Sequence, residues 1–258
     1  MGILVTAGRE LTATQLIALA QPLGMSATNV KSHLSRMVSE GVLQREGPTR
    51  RAVYKPCQGQ SYIVESIRQR LKPKAEERWD STWLVLTFPL PKNRSQRDHL
   101  RASLWFDGFR CLDSNVFARP AWPLPWAEKQ AMRYAAGWAG TCLRGGIVAS
   151  PADFARLYDL DGLDSEARAL AFRIRKRRVS FLSPRKAFAE RMRVGGEAVQ
   201  LIAHDPRLPT AIWGTRQGMR QLAEAFTDFE QRIAQSAASF VEEVIFGSTP
   251  KPGRKSYL

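Results

Sequence analysis

Residues 26–45 read Ser26-Ala-Thr-Asn-Val-Lys-Ser-His-Leu-Ser-Arg-Met-Val-Ser-Glu-Gly-Val-Leu-Gln-Arg45, and this stretch decides the fold of the N-terminal region. Ser26 is a residue type that caps a helix N-terminus, and Gly41 is the type that ends a helix in the left-handed conformation. The apolar residues between them recur at helical spacing: Ala27, Val30, Leu34, Met37 and Val38. The stretch therefore predicts an amphipathic helix followed by a strand.

The opposite face of this predicted helix carries small polar and cationic side chains. They are Thr28, Asn29, Lys31, Ser32, Ser35 and Arg36. Side chains of this size and chemistry can enter a DNA major groove and reach both base edges and phosphates. Taken alone, the face is equally typical of an ordinary solvated helix. The neighbouring segments are needed to distinguish this from a DNA-binding helix.

The upstream segment predicts a second helix that packs against the first. Thr12 and Gln15 have the spacing of a capping box, in which two residues satisfy each other's backbone N–H groups at a helix start. An apolar stripe follows, and the link Pro22–Met25 is the short glycine-containing turn of a helix-turn-helix.

The downstream segment predicts a basic β-hairpin. Residues 42–55 alternate in polarity around Gly47-Pro48, and the tip carries Arg50 and Arg51. Helix, turn, helix and basic hairpin in this order predict a winged helix-turn-helix. We therefore expect DNA binding through the six polar residues of the helix face together with Arg50 and Arg51.

The overall charge agrees with a polyanionic partner. The chain has 39 Lys and Arg against 24 Asp and Glu, a formal net charge of +15, and a pI near 10.4. Such a field favours nucleic acid, because cations that neutralise phosphates release counterions. An acidic protein or an anionic membrane surface would be attracted as well. With 258 residues, the chain is expected to form two or three domains.

Cysteine usage and hydropathy indicate a reduced, cytoplasmic protein. The three cysteines, Cys57, Cys111 and Cys142, are odd in number and widely spaced, which fits neither a disulfide framework nor a zinc site. No apolar run approaches the roughly 20 residues of a membrane span, and no signal peptide is visible. We expect a cytoplasmic location and no membrane partner.

Beyond the hairpin, the sequence predicts a connecting segment and a small α/β domain. Residues 58–72 suit a helix that Pro73 ends, and a polar junction follows. The elements predicted next are strand Trp83–Phe88, helix Arg94–Phe106, strand Cys111–Ala118 and a further apolar run, Cys142–Ala149.

The C-terminal region is predicted to be helical. Its expected helices are Pro151–Leu160, Ser165–Arg178, Pro184–Ala203 and Arg216–Phe246. The predicted organisation is α+β, with these segments: 1–57 winged helix, 58–78 connecting helix and linker, 79–150 middle domain, 151–258 helical domain.

Three segments together resemble the PaaX family of transcriptional repressors of phenylacetate-degradation operons. The segments are Val30–Leu43; Trp79–Leu86 with Pro91–Arg101 and Gly108–Arg110; and His204–Pro209 with Trp213-Gly214. The resemblance covers nearly the whole chain. It implies a ferredoxin-like middle domain similar to the small nuclease of CRISPR spacer acquisition, a homodimer, and release from the operator by an aryl-CoA thioester.

The sequence departs from the family pattern at three places. Val42 stands where the family usually has tryptophan, and Lys31 where it usually has arginine. Only Met1–Gly8 precedes the first predicted helix, where relatives have a longer helix. Either residues from elsewhere in the chain complete this domain, or the natural start lies upstream of Met1.

The densest charge lies between Arg173 and Arg193, with nine Lys and Arg and one acidic residue, Glu190. It is compatible with a solvated helix face, with a site for the phosphates of a CoA-like ligand, or with a second DNA contact. The acidic residues expected to balance it are Asp159, Asp161, Asp164 and Glu166. Arg173, Lys176 and Arg177 fall at i, i+3 and i+4 of a helix, so we expect them to bind the effector beside a tryptophan-rich core.

Motifs for catalysis are weak. His33, His99 and His204 lack partners at metal-ligand spacing, and neither HExxH nor CxxC occurs. A nuclease built on the middle domain would need a carboxylate at the end of its first strand to hold Mg²⁺, whereas Asp80 lies before that strand. We expect no enzyme activity, no metal and no cofactor.

The combined expectation is a cytoplasmic, homodimeric, ligand-responsive repressor of an aromatic-compound catabolic operon. It would bind a palindromic DNA operator and be released by an aryl-CoA thioester. The alternative is a metal-dependent nuclease or RNA-processing protein built on the middle domain. A third possibility is a basic adaptor that binds nucleic acid without regulation.

Overall fold

Short apolar runs bounded by turn residues form two antiparallel sheets among the residues described in this computed structural model. The structure describes residue 3 and residues 9–48, 52–57, 67–68, 70–71, 78–122, 126–146, 151–214 and 216–247. Arg50, Arg51, the predicted junction after residue 72 and most of the predicted connecting helix lie outside these residues. Helices and sheets are mixed, so the α+β class is confirmed.

The N-terminal elements follow the predicted order. They are β1 (Leu11–Thr12), α1 (Ala13–Ala20), a 3₁₀ turn (Gln21–Leu23), α2 (Ala27–Ser39), β2 (Leu43–Glu46) and β3 (Val53–Pro56). The three strands pair antiparallel in the order β1-β3-β2. Leu16 and Leu19 of α1 and Val30 and Leu34 of α2 are buried, whereas Ala27, predicted to face inward, is exposed.

The middle elements alternate between strand and helix. They are β4 (Trp83–Thr87), α3 (Arg94–Phe106), β5 (Arg110–Asp113), β6 (Val116–Pro120), α4 (Trp126–Gly137) and β7 (Thr141–Gly145). The sheet order is β5-β6-β4-β7, and every neighbouring pair is antiparallel. Leu84 and Leu86 of β4 pack with Leu100 and Leu104 of α3 in one hydrophobic core.

One prediction for this region was wrong, and one helix was missed. The single strand predicted over 111–118 is a hairpin, because the Asp113 carboxylate accepts from the Ser114 backbone N–H (2.6 Å) and hydroxyl (3.1 Å) and stabilises a reversal of the chain. Helix α4 was not predicted at all. Its inward face consists mainly of alanines, Ala127, Ala131 and Ala135, which give a weak hydrophobic pattern although they are buried.

The C-terminal region is helical with altered bounds. Its helices are α5 (Pro151–Ala155), α6 (Leu160–Arg175), α7 (Pro184–Ala203), α8 (Thr210–Trp213) and α9 (Gly218–Phe246). The predicted bounds of α7 are confirmed, α5 is half as long as expected, and α6 both begins and ends earlier. None of the helices described is long and apolar enough to cross a membrane.

The chain divides into two compact units. The first contains residues 1–69, 172–199 and 224–258, and the second contains residues 70–171 and 200–223. The four segments inferred from the sequence remain a prediction. The N-terminal elements and much of α7 and α9 belong to the first unit, and the four-stranded sheet belongs to the second.

A buried arginine links the end of β6 to the end of α3 in the second unit. Arg119 on β6 is fully buried, and its guanidinium donates to the backbone carbonyls of Pro120 (3.1 Å), Trp122 (2.7 Å) and Asp107. Burial lowers the pKa of Arg119 to about 10, so the group remains charged at neutral pH. The ring of Trp126 lies 4.8 Å from its Cζ and provides a cation–π contact.

Removing this guanidinium should be costly for stability. Arg119→Met leaves three buried carbonyls without their donor, so we expect a loss of about 3–5 kcal/mol in the free energy of unfolding. The control is Arg144→Met on β7, since Arg144 is 43% exposed and pairs with Asp80 and Glu128 at 3.1 and 2.7 Å. Such a surface pair contributes less than about 1 kcal/mol. Urea unfolding measures both losses, and equal destabilisation of the two variants would contradict the stabilising role of Arg119.

Candidate nucleic-acid interface

The start of α1 is fixed by the predicted capping box. The Thr12 hydroxyl accepts from the Gln15 backbone N–H (3.3 Å), and the Gln15 Oε1 accepts from the Thr12 backbone N–H (2.9 Å). The Gln15 Nε2 also donates to the Ile245 carbonyl (3.4 Å), and the Arg9 guanidinium lies 5.2 Å from the Phe246 ring. The last turn of α9 therefore contacts the beginning of the N-terminal elements.

Helix α2 is capped at both ends, as its sequence predicts. The Ser26 hydroxyl accepts from the Asn29 backbone N–H (3.2 Å). Gly41 has φ +68°, and the backbone N–H groups of Gly41 and Val42 donate to the carbonyls of Val38 (3.1 Å) and Met37 (2.9 Å). This pair of bonds is a Schellman motif, which satisfies the last carbonyls and ends the helix sharply.

Burial of its apolar side sets the rotation of α2, and this rotation exposes its polar face. Val30 and Leu34 on the inner side are 5% and 6% exposed. All six residues predicted on the outer side are exposed: Thr28, Asn29, Lys31, Ser32, Ser35 and Arg36. The structure thus brings these six side chains onto one face of one helix, where they present hydroxyl, amide and cationic groups.

Arg36 is held by two neighbours on this face. Its Nη2 lies 3.2 Å from the His33 Nδ1, and its Nε lies 3.8 Å from the Glu40 carboxylate. Arg36 and Glu40 are 63% and 55% exposed, so their pair is weak and screened by salt. A phosphate or a guanine edge could replace either neighbour at little cost.

One cation of the hairpin, Lys55, is paired with carboxylates, and another, Arg45, is not. The Lys55 Nζ lies 2.5 Å from Glu46 and 3.7 Å from Glu10, and the hydrogen bond to Glu46 raises the pKa of Lys55. Arg45 on β2 is exposed and has no ion pair with the other described residues. Sequence reasoning did not select Arg45, because strand periodicity places it on the same face as Leu43, which is buried.

The argument that placed the effector residues on one helix face was wrong. Helix α6 ends at Arg175, so Lys176 and Arg177 lie beyond it. Arg173 pairs with Glu197 (3.6 Å), Arg177 pairs with Glu190 (2.9 Å), and the Lys176 ammonium lies 4.1 Å from the Phe172 ring. The three side chains therefore turn to three different partners.

The acidic partners of the basic cluster also differ from those expected. The carboxylates that pair with it are Glu190, Glu197, Glu224 and Glu230. Asp161 and Asp164 instead pair with Arg216 and Arg168, both at distances below 3 Å. All seven tryptophans belong to the second unit, whereas residues 173–193 belong to the first.

A surface cavity of about 410 Å³ lies beside the basic cluster in the first unit. It is lined by Arg175, Asp228, Gln231 and Arg232. The Arg232 guanidinium donates to the carbonyls of Asp228 (3.3 Å) and Arg177 (3.4 Å). The lining has two cations and one carboxylate, and Arg175 also pairs with Glu224 (3.9 Å).

The described residues offer no metal site. Within them, no three His, Cys, Asp or Glu side chains are grouped so that they could hold an ion. Asp80 accepts from the Thr82 hydroxyl (2.5 Å), the Thr82 backbone N–H (2.9 Å) and Arg144 (3.1 Å). These bonds, with that of the Thr82 hydroxyl foremost, lower the pKa of Asp80, and they tie it to the start of β4.

Three family profiles match successive parts of the chain. Residues 2–57 match the PaaX-like protein family, residues 76–151 match the PaaX protein central Cas2-like domain, and residues 158–243 match the PaaX-like protein C-terminal domain.

Two relatives match the chain over most of its length. The transcriptional repressor PaaX of Escherichia coli strain K12 is 24% identical, over 95% of this chain and 82% of that protein. The solved structure of the uncharacterized protein Rv0674 from Mycobacterium tuberculosis has a similar fold, with a TM-score of 0.56, 22% identity, and coverage of 93% of this chain and 97% of that chain. Since the three profiles follow one another in order from residue 2 to residue 243, this chain belongs to the PaaX family.

Proposed function

We propose that this protein is a ligand-responsive transcriptional repressor that binds an operator through α2. The observation that carries the proposal is the exposed polar face of α2, which presents hydroxyl, amide and cationic groups on a helix that is capped at both ends. The similarity to a protein named as a transcriptional repressor supports it. The helix, 3₁₀ turn, helix and β2–β3 hairpin fit a winged helix-turn-helix, in which α2 is the recognition helix.

A ferredoxin-like middle domain and a homodimer complete the proposed assembly. The element order β-α-β-β-α-β and the antiparallel sheet β5-β6-β4-β7 support a ferredoxin-like domain. Two copies would place two α2 helices in successive major grooves of a palindromic operator. By family resemblance, the regulated operon is one for an aromatic compound such as phenylacetate, and the protein acts in the cytoplasm.

The proposed effector is an aryl-CoA thioester held by Arg173, Lys176 and Arg177. Its phosphates would have to compete with Glu197 and Glu190, which already pair with the two arginines. Such a ligand releases DNA only if it binds the DNA-incompetent state more tightly than the DNA-bound state.

The DNA-binding role of α2 can be tested with one substitution and a matched control. Arg36→Ala should weaken operator binding by about 1–3 kcal/mol if the guanidinium reads a base. The control is Arg94→Ala on α3, since Arg94 is also exposed and pairs with an i+4 carboxylate, Asp98, at 3.8 Å. Gel-shift titrations should leave this control at wild-type affinity. A wild-type affinity for Arg36→Ala, Ser32→Ala and Asn29→Ala would remove α2 from the mechanism.

The hairpin cations should act differently from Arg36. Arg50→Ala should weaken binding to operator and to unrelated DNA alike, because a phosphate contact carries no sequence information. The same titrations on both DNA types measure this, and a loss confined to the operator would contradict it.

The nuclease alternative predicts turnover, whereas the repressor proposal predicts none. The protein incubated with DNA or RNA and Mg²⁺ or Mn²⁺ should cleave no faster than a mock preparation, because Asp80 is engaged by Thr82 and Arg144. Cleavage that Asp80→Asn abolishes would establish the nuclease instead.

The effector proposal makes a separate prediction. An aryl-CoA thioester should bind in calorimetry and displace the operator, and the free aryl acid should do neither. Arg173→Ala combined with Arg177→Ala should preserve DNA affinity and abolish this response. The control combines Arg191→Ala with Arg193→Ala, two cluster arginines that pair with Glu230 and Glu190. An unchanged response in the first variant would remove Arg173 and Arg177 from the effector site.

A further inference from the structure

The loop between α6 and α7, residues 176–183, presents a fully exposed aromatic ring. Phe181 is 98% exposed, the highest value among the large hydrophobic residues described. Two residues earlier, Val179 is 5% exposed, and the Leu182 backbone N–H donates to the Val179 carbonyl (3.2 Å). Val179 therefore anchors the loop in the core while Phe181 projects into solvent. A single exposed apolar side chain is common on protein surfaces, so Phe181 indicates a contact only in combination with the charge that surrounds it in the sequence.

The basic cluster separates into paired and unpaired cations. The arginines paired with glutamates are Arg173, Arg175, Arg177, Arg191 and Arg193. Lys176 forms no ion pair but lies over the Phe172 ring, and Arg178, Arg185 and Lys186 are exposed and form no ion pair with any residue that the structure describes. We refer to Arg178, Arg185 and Lys186 as the loop cations, because Arg178 lies in the loop and the other two follow it in the first turn of α7.

The loop cations are poorly stabilised within the protein itself. From residue 176 to residue 189 the sequence contains no Asp or Glu. Arg185 and Lys186 lie in the first turn of α7, which has no acidic residue and where the helix dipole disfavours positive charge. An external anion would relieve this repulsion, so the surface is complementary in charge to a polyanion.

We propose that the loop cations and Phe181 form a second contact with double-stranded DNA, beside the contact made by α2. The cations would lie along the phosphate backbone and Phe181 would pack against the sugars or wedge at a base step in the minor groove. The proposal rests on the proposed function. It gains support from the division of the chain, because residues 172–199 and the N-terminal elements belong to the same compact unit.

Other occupants fit the surface less well. Small ligands prefer concave sites that bury most of their surface, whereas Phe181 projects outward with 98% of its surface free. A second copy of the same loop would bring like charges together. An anionic membrane shares the charge complementarity, so binding to anionic vesicles has to be measured alongside binding to DNA.

The first test removes the charge. In the variant R178A/R185A/K186A, the slope of log affinity against log salt should fall by about 2–3, since each phosphate contact contributes about 0.9. At about 0.1 M salt this corresponds to about sixtyfold weaker binding for two contacts and about five-hundredfold for three. The control, K92A/R94A/R101A, removes the same charge from exposed positions of the second unit and should leave the slope unchanged.

The second test removes the ring. Phe181→Ala should weaken operator binding by about fivefold or more with an unchanged salt slope, because an apolar contact releases no counterions. Met132→Ala, which removes a 60% exposed apolar side chain of α4, is the control and should bind as wild type. Urea unfolding of each variant should match wild type, because the altered side chains are exposed.

The outcomes separate this proposal from the proposed function. If Arg36→Ala weakens binding while the triple variant keeps the wild-type slope, the second contact does not exist and the role of α2 stands. If the triple variant binds DNA normally but loses binding to vesicles of phosphatidylserine and phosphatidylcholine, the loop is a membrane contact. If it binds DNA normally but loses the aryl-CoA thioester, the loop belongs to the effector site. Each of these results overturns the proposal.

Discussion

The chain has 39 Lys and Arg but only 24 Asp and Glu, so 15 cations cannot be neutralised by a carboxylate of their own. These cations must be stabilised in some other way or remain exposed to solvent. The structure uses three environments. Arg119 is buried against backbone carbonyls and aromatic rings. A second group of arginines pairs with glutamates: Arg173, Arg175, Arg177, Arg191 and Arg193. A third group, which includes Arg178, Arg185 and Lys186, is exposed. A polyanion can approach the exposed, unpaired cations without displacing a carboxylate, whereas at a paired arginine such as Arg36 or Arg173 it has to compete with a glutamate. The placement of carboxylates thus determines which cations are left unpaired at the surface.

Two segments that carry the family resemblance, Gly108–Arg110 and His204–Pro209, are far apart in the sequence but meet in the second unit beside the buried Arg119. Gly108 has φ +81°, and a Cβ there would lie 2.5 Å from the Pro206 carbonyl. Arg207 has φ +54°, its backbone N–H donates to the Asp205 carboxylate (2.8 Å), and its guanidinium lies 4.4 Å from the Trp126 ring. These residues build a scaffold around the buried guanidiniums, so their pattern reflects packing.

Local features were predictable from the sequence, and distant ones were not. The caps of α2 at Ser26 and Gly41 depend on residues within one turn of the helix end, so composition alone reveals them. The partners of the basic cluster depend on tertiary structure, as when Arg191 pairs with Glu230. The early end of α6 at Arg175 escaped prediction because arginine and lysine are good helix formers. The exposed polar face of α2 was therefore predicted correctly. The expectation that Arg173, Lys176 and Arg177 share one helix face was wrong.

The pairing pattern also constrains how an effector could act. A polyphosphate bound at Arg173 and Arg177 would add negative charge to the unit that contains α2, and it would displace the carboxylates of Glu197 and Glu190. Both changes oppose DNA binding, and linkage requires DNA to oppose the effector equally. Screening limits this direct effect, because charges separated by more than about 8 Å interact weakly at physiological salt. In the proposed mechanism, complete release from an operator would therefore require a second conformation, in which the α2 helices of the proposed dimer no longer match successive grooves.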